Sequence, residues 1–186
     1  MADLTGVAWN KFPRKANPAD QVAAHFQFYE LTKSELAARL NINNAFPGVR
    51  VARAAVFLCR NVMEPVRAQF GPFTPNSVYR CQDLERALKG KRTNWTSTSQ
   101  HTLGQACDIE IAGVANADLA DWIRRNLEFD QLILECYNPQ EGENSGWVHV
   151  SRCPPGPGQN RREVLSYIWD RRTQNYVYVE GLQATA

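Results

Sequence analysis

The 186-residue chain has few histidines, and its cysteines do not form the pairs typical of structural metal sites. It has only three histidines, and its five cysteines are an odd number without a Cys-x-x-Cys pair. This pattern argues against a disulfide framework and against a zinc site made of thiolates. We therefore expect reduced thiols, as in cytosolic proteins. The cysteines are Cys59, Cys81, Cys107, Cys136 and Cys153.

The chain also lacks a strong excess of one charge and any long apolar run. Its net charge is +2, which is too small for the broad basic surface of a typical nucleic-acid binder. No stretch approaches the ~20 apolar residues of a membrane span, and no apolar segment follows the basic residues of the N-terminus. We expect a soluble protein without a secretion signal of its own and without a nucleic-acid partner.

The length and the hydrophobic fraction of 44% predict a single domain over residues 1–186. Residues 1–20 are interpreted as an irregular lead-in. Apolar residues recur at helical spacing from Val49 to about Phe70, which predicts a long core helix that Pro65 kinks or ends. Two alternating segments around a polar turn predict a terminal hairpin over residues 164–180.

Three further segments predict strands of a small sheet. Residues 106–112 and 129–135 have apolar residues in strand-like patterns, and residues 146–151 form a third such segment. A loop rich in Asn, Glu, Gly and Pro joins the last two into a hairpin. Together with the helices, these strands predict an α+β fold with a small antiparallel sheet and flanking helices.

The stretch Ser99–Ile109 contains the first candidate metal ligands. His101 and Asp108 lie seven residues apart, and His149 lies in another predicted strand. Two histidines and one carboxylate that leave the fourth position open are the ligand set of a catalytic zinc site. The remaining histidine, His25, lies among apolar neighbours, where a histidine is more often a packed or surface side chain than a ligand.

These residues also carry a family resemblance. The pattern SxHxxGxAxDI, followed by WxHxS, resembles the zinc peptidases that cut bacterial cell-wall peptides, the D-alanyl-D-alanine peptidase family, whose fold is shared by Hedgehog signalling domains. The similarity runs from about Phe26 to Ser151. It implies the same fold, a Zn²⁺ cofactor bound by His101, Asp108 and His149, and hydrolysis of amide bonds in peptidoglycan stem peptides.

A zinc peptidase needs a carboxylate that moves protons, and three glutamates qualify. Glu135 ends a predicted strand, which fixes its position, whereas Glu141 and Glu143 lie in a loop. One branch of the family has its glutamate three residues before the last histidine, but that position is Gly146 here. The sequence DQLILE resembles a branch in which the glutamate ends the preceding strand. We therefore favour Glu135, with Glu143 as its rival.

Three residues are candidates for substrate binding. The family carries Tyr-Arg where this chain has Tyr79 and Arg80, at the end of a predicted strand over residues 76–80, which implies that Arg80 holds a substrate carboxylate. A surface ion pair is the alternative for Arg80. Ser99 is expected to bind substrate or to orient the His101 loop. Trp147 is expected either to line the site or to pack in the core.

The function that follows is a zinc metallopeptidase of the carboxypeptidase or endopeptidase type, acting on peptidoglycan. The resemblance favours a bacteriophage endolysin or virion-associated hydrolase, located in the producing cell's cytoplasm or in the virion and acting on the wall. The alternative is a zinc-stabilised binding or structural module of the same fold that has lost hydrolysis. Arg80 and a strand-end glutamate favour the enzyme.

Overall fold

The computed structural model describes residues 1–13, 15–138, 140–156 and 160–183. The mixture of helices and strands confirms the α+β prediction. The helices are α1 (Glu35–Arg39), α2 (Val49–Leu58), α3 (Glu64–Phe70), α4 (Gln82–Leu88) and α5 (Asn116–Asn126). The strands are β1 (Gln21–Ala23), β2 (Phe26–Gln27), β3 (Ala106–Ile109), β4 (Gln131–Glu135), β5 (Trp147–Ser151), β6 (Glu163–Asp170) and β7 (Asn175–Glu180). Within these described ranges, no helix is long and apolar enough to cross a membrane.

The predicted long helix is present over residues 49–70, but Pro65 does not end it. A π-helical turn at Cys59–Met63 joins α2 to α3. Proline has no N–H, so the usual hydrogen-bond ladder cannot run through Pro65 unchanged. The π turn, closed by a bond from the Glu64 N–H to the Cys59 carbonyl, widens the helix just before the proline.

The backbone forms two compact units, the first of which comprises Met1–Pro65 and Asn76–Cys107. Its N-terminal residues are held down by one arginine on the long helix. The Arg60 guanidinium donates to the carbonyl oxygens of Val22 at 2.6 Å and Leu4 at 2.7 Å. Phe12 is fully buried. The irregular start of the chain therefore packs into this unit by side-chain contacts.

The strand predicted over residues 76–80 is absent from the structure, and that prediction is wrong. The Tyr79 N–H donates to the Leu31 carbonyl at 3.0 Å, and the Arg80 N–H donates to the His101 carbonyl at 3.3 Å. Both acceptors lie in 3-10 turns, Phe28–Leu31 and Gln100–Leu103. Because no neighbouring strand supplies these bonds, the segment reaches its position as a loop held by two turns.

The second unit comprises Val66–Pro75 and the described residues from Asp108 onward. Most of a five-stranded sheet with the order β3-β5-β4-β6-β7 lies there. β4 and β5 pair antiparallel, as do β6 and β7, whereas β4 and β6 run parallel. The terminal strands β6 and β7 therefore extend the sheet directly beside β4.

Period-two alternation gives this sheet two different faces. One face is apolar, and α5 packs on it against β4 and β5. Its buried residues include Leu132, Leu134, Val148 and Val150. The opposite face, called the histidine face below, carries Glu135, Trp147 and His149. Strand pairing aligns Ile133 with His149 and Glu135 with Trp147.

The approach to β5 depends on a glycine. Gly146 has φ +69°, and a Cβ atom there would lie 1.9 Å from the Glu135 carbonyl oxygen. Gly113 has a similar φ of +78°, but a Cβ atom there would meet nothing within 4 Å. A side chain added at either position would strain the backbone. Only at Gly146 would it also clash with neighbouring atoms.

We expect Gly113→Ala to reduce the free energy of unfolding by about 1–2 kcal/mol, because an L residue is strained in the left-handed region. Gly146→Ala should cost roughly 2 kcal/mol more, because the clash with backbone forces β4 and β5 apart locally. Urea denaturation of both variants measures the difference. Equal losses would contradict the close approach at Gly146.

Candidate metal centre

His101 is held in a short turn whose two ends explain the Ser-x-His-x-x-Gly spacing. Ser99 precedes the 3-10 turn Gln100–Leu103, and its hydroxyl accepts a hydrogen bond from the His101 N–H at 3.4 Å. Gly104 ends the turn with φ +67°. A Cβ atom at Gly104 would lie 2.6 Å from the Val51 carbonyl oxygen, so a larger residue would push the turn away from α2.

The His101 ring is fully buried, and its Nδ1 lies 2.6 Å from the carbonyl oxygen of Val78. A carbonyl only accepts hydrogen bonds, so this contact assigns the ring proton to Nδ1. In the neutral ring the other nitrogen, Nε2, is then unprotonated, which is the form that a metal requires. Backbone carbonyls commonly orient metal-binding histidines in this way.

The other two candidate ligands lie on neighbouring strands. Asp108 is on β3 and His149 is on β5, which are adjacent in the sheet. The Oδ1 atom of Asp108 lies 2.9 Å from Nδ1 of His149. Both side chains are buried, with residue exposures of 6% and 7%. A carboxylate and an imidazole this deeply buried need each other or a shared partner.

His101, Asp108 and His149 each offer a ligand atom, and these atoms all lie within 4.8 Å of one another. Ligands bound to one tetrahedral zinc ion at ~2.0–2.1 Å stand about 3.3 Å apart, so the observed spacing fits a metal ion with little movement. Two imidazoles and one carboxylate also suit zinc chemically. The residues present therefore fit a bound metal.

His25 does not belong to this cluster. It is exposed, and its Nδ1 contacts a carboxylate oxygen of Glu64. The structure thus separates the histidine that the sequence disfavoured as a ligand from the two that it favoured.

Glu135 and Glu143 occupy different surroundings. Glu135 is the last residue of β4 and lies on the histidine face, two residues along from Ile133, the partner of His149. Glu143 is exposed, and its carbonyl oxygen accepts a hydrogen bond from the N–H of Asn116, the first residue of α5. That helix packs on the apolar face of the sheet, so the backbone at Glu143 is tied to the side opposite His149.

The remaining loop glutamate is also engaged away from the cluster. Glu141 is exposed and accepts a hydrogen bond from the Asn138 side-chain amide at 2.7 Å.

The structure also gives a reason why no glutamate stands three residues before His149. That position is Gly146, where a Cβ atom would overlap the Glu135 carbonyl. With this backbone, a side chain at residue 146 is excluded by the end of β4 itself. A carboxylate beside the metal ligands must therefore come from another position, and Glu135 is on the adjoining strand.

Arg80 forms an ion pair with a buried carboxylate. Its Nε lies 2.6 Å from an oxygen of Glu85, whose side chain is fully buried. The Ser97 hydroxyl donates to Glu85 at 2.7 Å, and Lys89 lies 3.2 Å away. Burial alone would raise the pKa of Glu85, but the Ser97 hydrogen bond and the two cations outweigh it, so the pKa lies below its usual value. Glu85 is therefore ionised at neutral pH and fixes the Arg80 guanidinium.

Several of these supporting contacts were missed from the sequence. The partner of His101 is a backbone carbonyl, at Val78, which no side-chain pattern reveals. The sequence gives only a weak indication of the Glu85 contacts. Glu85 follows Leu84 in α4, and a buried charged residue is usually paired. This predicts a partner for Glu85 but does not identify it as Arg80.

Trp147 lies directly across from Glu135 on the histidine face. Its indole nitrogen is buried and has no hydrogen-bond acceptor among the residues that the structure describes. A buried N–H without an acceptor is uncommon in folded proteins. Ser99, for its part, shows the contacts of a residue that orients the His101 turn.

Comparison with known proteins agrees with the site. No curated protein matches the sequence significantly. The sequence profile described as Peptidase M15 matches residues 24–151, which include His101, Asp108, Glu135 and His149 and make up more than half of the chain. The chain therefore belongs to the peptidase M15 family of metallopeptidases.

Proposed function

We propose that the protein is a zinc-dependent peptidase that hydrolyses amide bonds in the stem peptides of peptidoglycan. One observation carries the proposal: the buried His-Asp-His cluster includes His149, whose sheet face also presents a carboxylate, Glu135, from the neighbouring strand. Membership of the peptidase M15 family supports peptide hydrolysis as the reaction.

His101, Asp108 and His149 would hold the zinc ion, which would lower the pKa of a bound water toward ~7 and polarise the scissile carbonyl. Glu135 is the proposed general base and acid, whose carboxylate would accept a proton from the attacking water and donate it to the leaving amine. Glu135 and His149 are diagonal neighbours on paired strands, and such positions are about 7–8 Å apart, so the Glu135 side chain can reach the space in front of His149. Its strand-end location fixes where that carboxylate begins.

Arg80 and Trp147 are the proposed substrate contacts. Glu85 holds the Arg80 guanidinium by its Nε, which orients the planar fork for a second, two-bond contact with a substrate carboxylate. Trp147 lies directly across from Glu135 on the histidine face, where its ring would line the approach to that carboxylate. Ser99 acts through the His101 turn. The bacteriophage and virion roles stay predictions from the resemblance.

The metal site is tested first by its ligands. We expect purified wild-type protein to hold one zinc per chain and His149→Ala to lose most of it, because two remaining ligands bind zinc weakly. His25→Ala is the matched control, since it removes the exposed histidine outside the cluster. Elemental analysis after dialysis measures the occupancy. Full occupancy in His149→Ala would overturn the ligand assignment.

The proton-transfer role is tested by removing one carboxylate at a time. Glu135→Gln should lower the rate of muropeptide release from purified sacculi by about 10²–10⁴-fold while zinc stays bound, because the amide cannot accept the proton. Glu143→Gln should release muropeptides at nearly the wild-type rate. Mass spectrometry of the soluble products measures both and also identifies the bond that is cut.

Two results would contradict this account in different ways. A large loss in Glu143→Gln with little loss in Glu135→Gln would move the base to the loop. Zinc-loaded wild type that leaves sacculi and free stem peptides intact would favour the zinc-stabilised, non-catalytic module instead of the peptidase.

A further inference from the structure

The terminal hairpin continues the histidine face with a group of aromatic side chains. In β6 and β7 the register pairs Tyr167 with Tyr178 and Trp169 with Tyr176. Paired residues of adjacent strands point to the same side, so all four rings share one face. This group is called the aromatic platform below.

The rings of the aromatic platform contact one another. Tyr167 packs against Tyr178, with ring centroids 4.4 Å apart, and stacks on Tyr176 at 5.2 Å. Trp169 meets Tyr176 edge to face at 5.3 Å. Mutual packing of this kind fixes the rings before any ligand arrives and reduces the entropy lost on binding.

The platform is nevertheless exposed to solvent. Tyr178 is 59% exposed, Trp169 43% and Tyr176 36%. Three large aromatic residues on a short hairpin would normally be covered if they served only the core.

The platform is continuous with the proposed catalytic face. Parallel pairing of β4 with β6 places Tyr167 directly beside Glu135, and Tyr178 follows on the next strand. Neighbouring strands are ~4.8 Å apart, so Tyr178 begins about 10 Å from Glu135. β6 and β7 lie outside residues 24–151, the range that the family profile covers.

The chemistry of the platform selects its ligand. On the histidine face, the described residues of β6 and β7 include two carboxylates, Glu163 and Glu180, and no lysine or arginine. In the turn between the strands, Arg172 pairs with Asp170 and Arg171 donates to Gln140. An anionic polymer or an acidic membrane surface therefore finds no cationic partner on the platform itself.

We propose that the aromatic platform binds the N-acetylated sugar rings of the glycan strand to which the stem peptide is attached. A pyranose ring has an apolar C–H face that stacks on an aromatic ring, while its hydroxyl and amide groups bond to phenol hydroxyls at the edge. The platform thereby holds the glycan about 10 Å from Glu135. This inference deepens the proposed function and rests on it for the identity of the natural polymer.

The test measures binding of β-1,4-linked N-acetylglucosamine oligomers to the full-length chain by calorimetry, in the Glu135→Gln background so that no hydrolysis interferes. The Glu135→Gln protein with an unchanged platform should bind the oligomers saturably. Trp169→Ala and Tyr178→Ala should each weaken it by about fivefold or more, on the scale of one aromatic contact. Tyr178→Phe should retain most of the affinity, because the ring remains.

Tyr29→Ala is the matched control, because Tyr29 is 44% exposed and belongs to the first unit, whereas the hairpin belongs to the second. It should bind the oligomers like the parent. Thermal unfolding of each variant checks that the fold is intact, and Tyr178→Phe keeps the test valid should Tyr178→Ala fail to fold.

Four results would overturn the inference: no oligomer binding by the parent, equal loss in Tyr29→Ala, binding of sugar-free stem peptides in place of the oligomers, or self-association that depends on Trp169. Failure of the proposed function looks different. If the protein is not a peptidase, the oligomers bind and sacculi stay intact. If sacculi are hydrolysed without oligomer binding, the platform proposal is wrong and the peptidase proposal stands.

Discussion

The pairing of β4 with β5 is the constraint on which the candidate site depends. It buries Leu132, Leu134, Val148 and Val150 on one face and thereby obliges His149 and Glu135 to share the other. A slip of one residue in either strand would move the polar group of that strand to the core face and its apolar residues away from it. The hydrophobic effect that fixes this register therefore also fixes the distance between the candidate metal ligand His149 and the proposed base Glu135.

Close backbone approaches maintain the geometry around that register. Gly104 lets the His101 turn lie against α2, and Gly146 lets the chain enter β5 beside the end of β4. The Val78 carbonyl then sets the ring proton of His101. Each of these contacts involves main-chain atoms. Substitution of a side chain elsewhere therefore has little effect on how the candidate ligands are positioned.

The sequence was most informative where a residue type is rare. With three histidines in the chain, the ligand pair His101 and His149 could be predicted together with Asp108, and the structure brings all three together. The helix over residues 49–70 was also predictable from its apolar spacing.

The rest depended on long-range hydrogen bonds. The segment at residues 76–80 was predicted as a strand from its residue pattern. That pattern does not reveal that its backbone hydrogen bonds go to two turns. The parallel pairing of β6 with β4 was equally invisible, and without it the aromatic residues of the hairpin could not be placed beside Glu135.

The central claim is that one zinc ion binds His101, Asp108 and His149 with Glu135 facing it. A crystal structure with anomalous diffraction recorded on both sides of the zinc absorption edge tests this claim most directly. The account predicts a single strong anomalous peak about 2.0–2.2 Å from ligand atoms of all three residues, with the Glu135 carboxylate in the next shell. A zinc peak at His25 and Glu64, or Glu135 directed away from the metal, would contradict it.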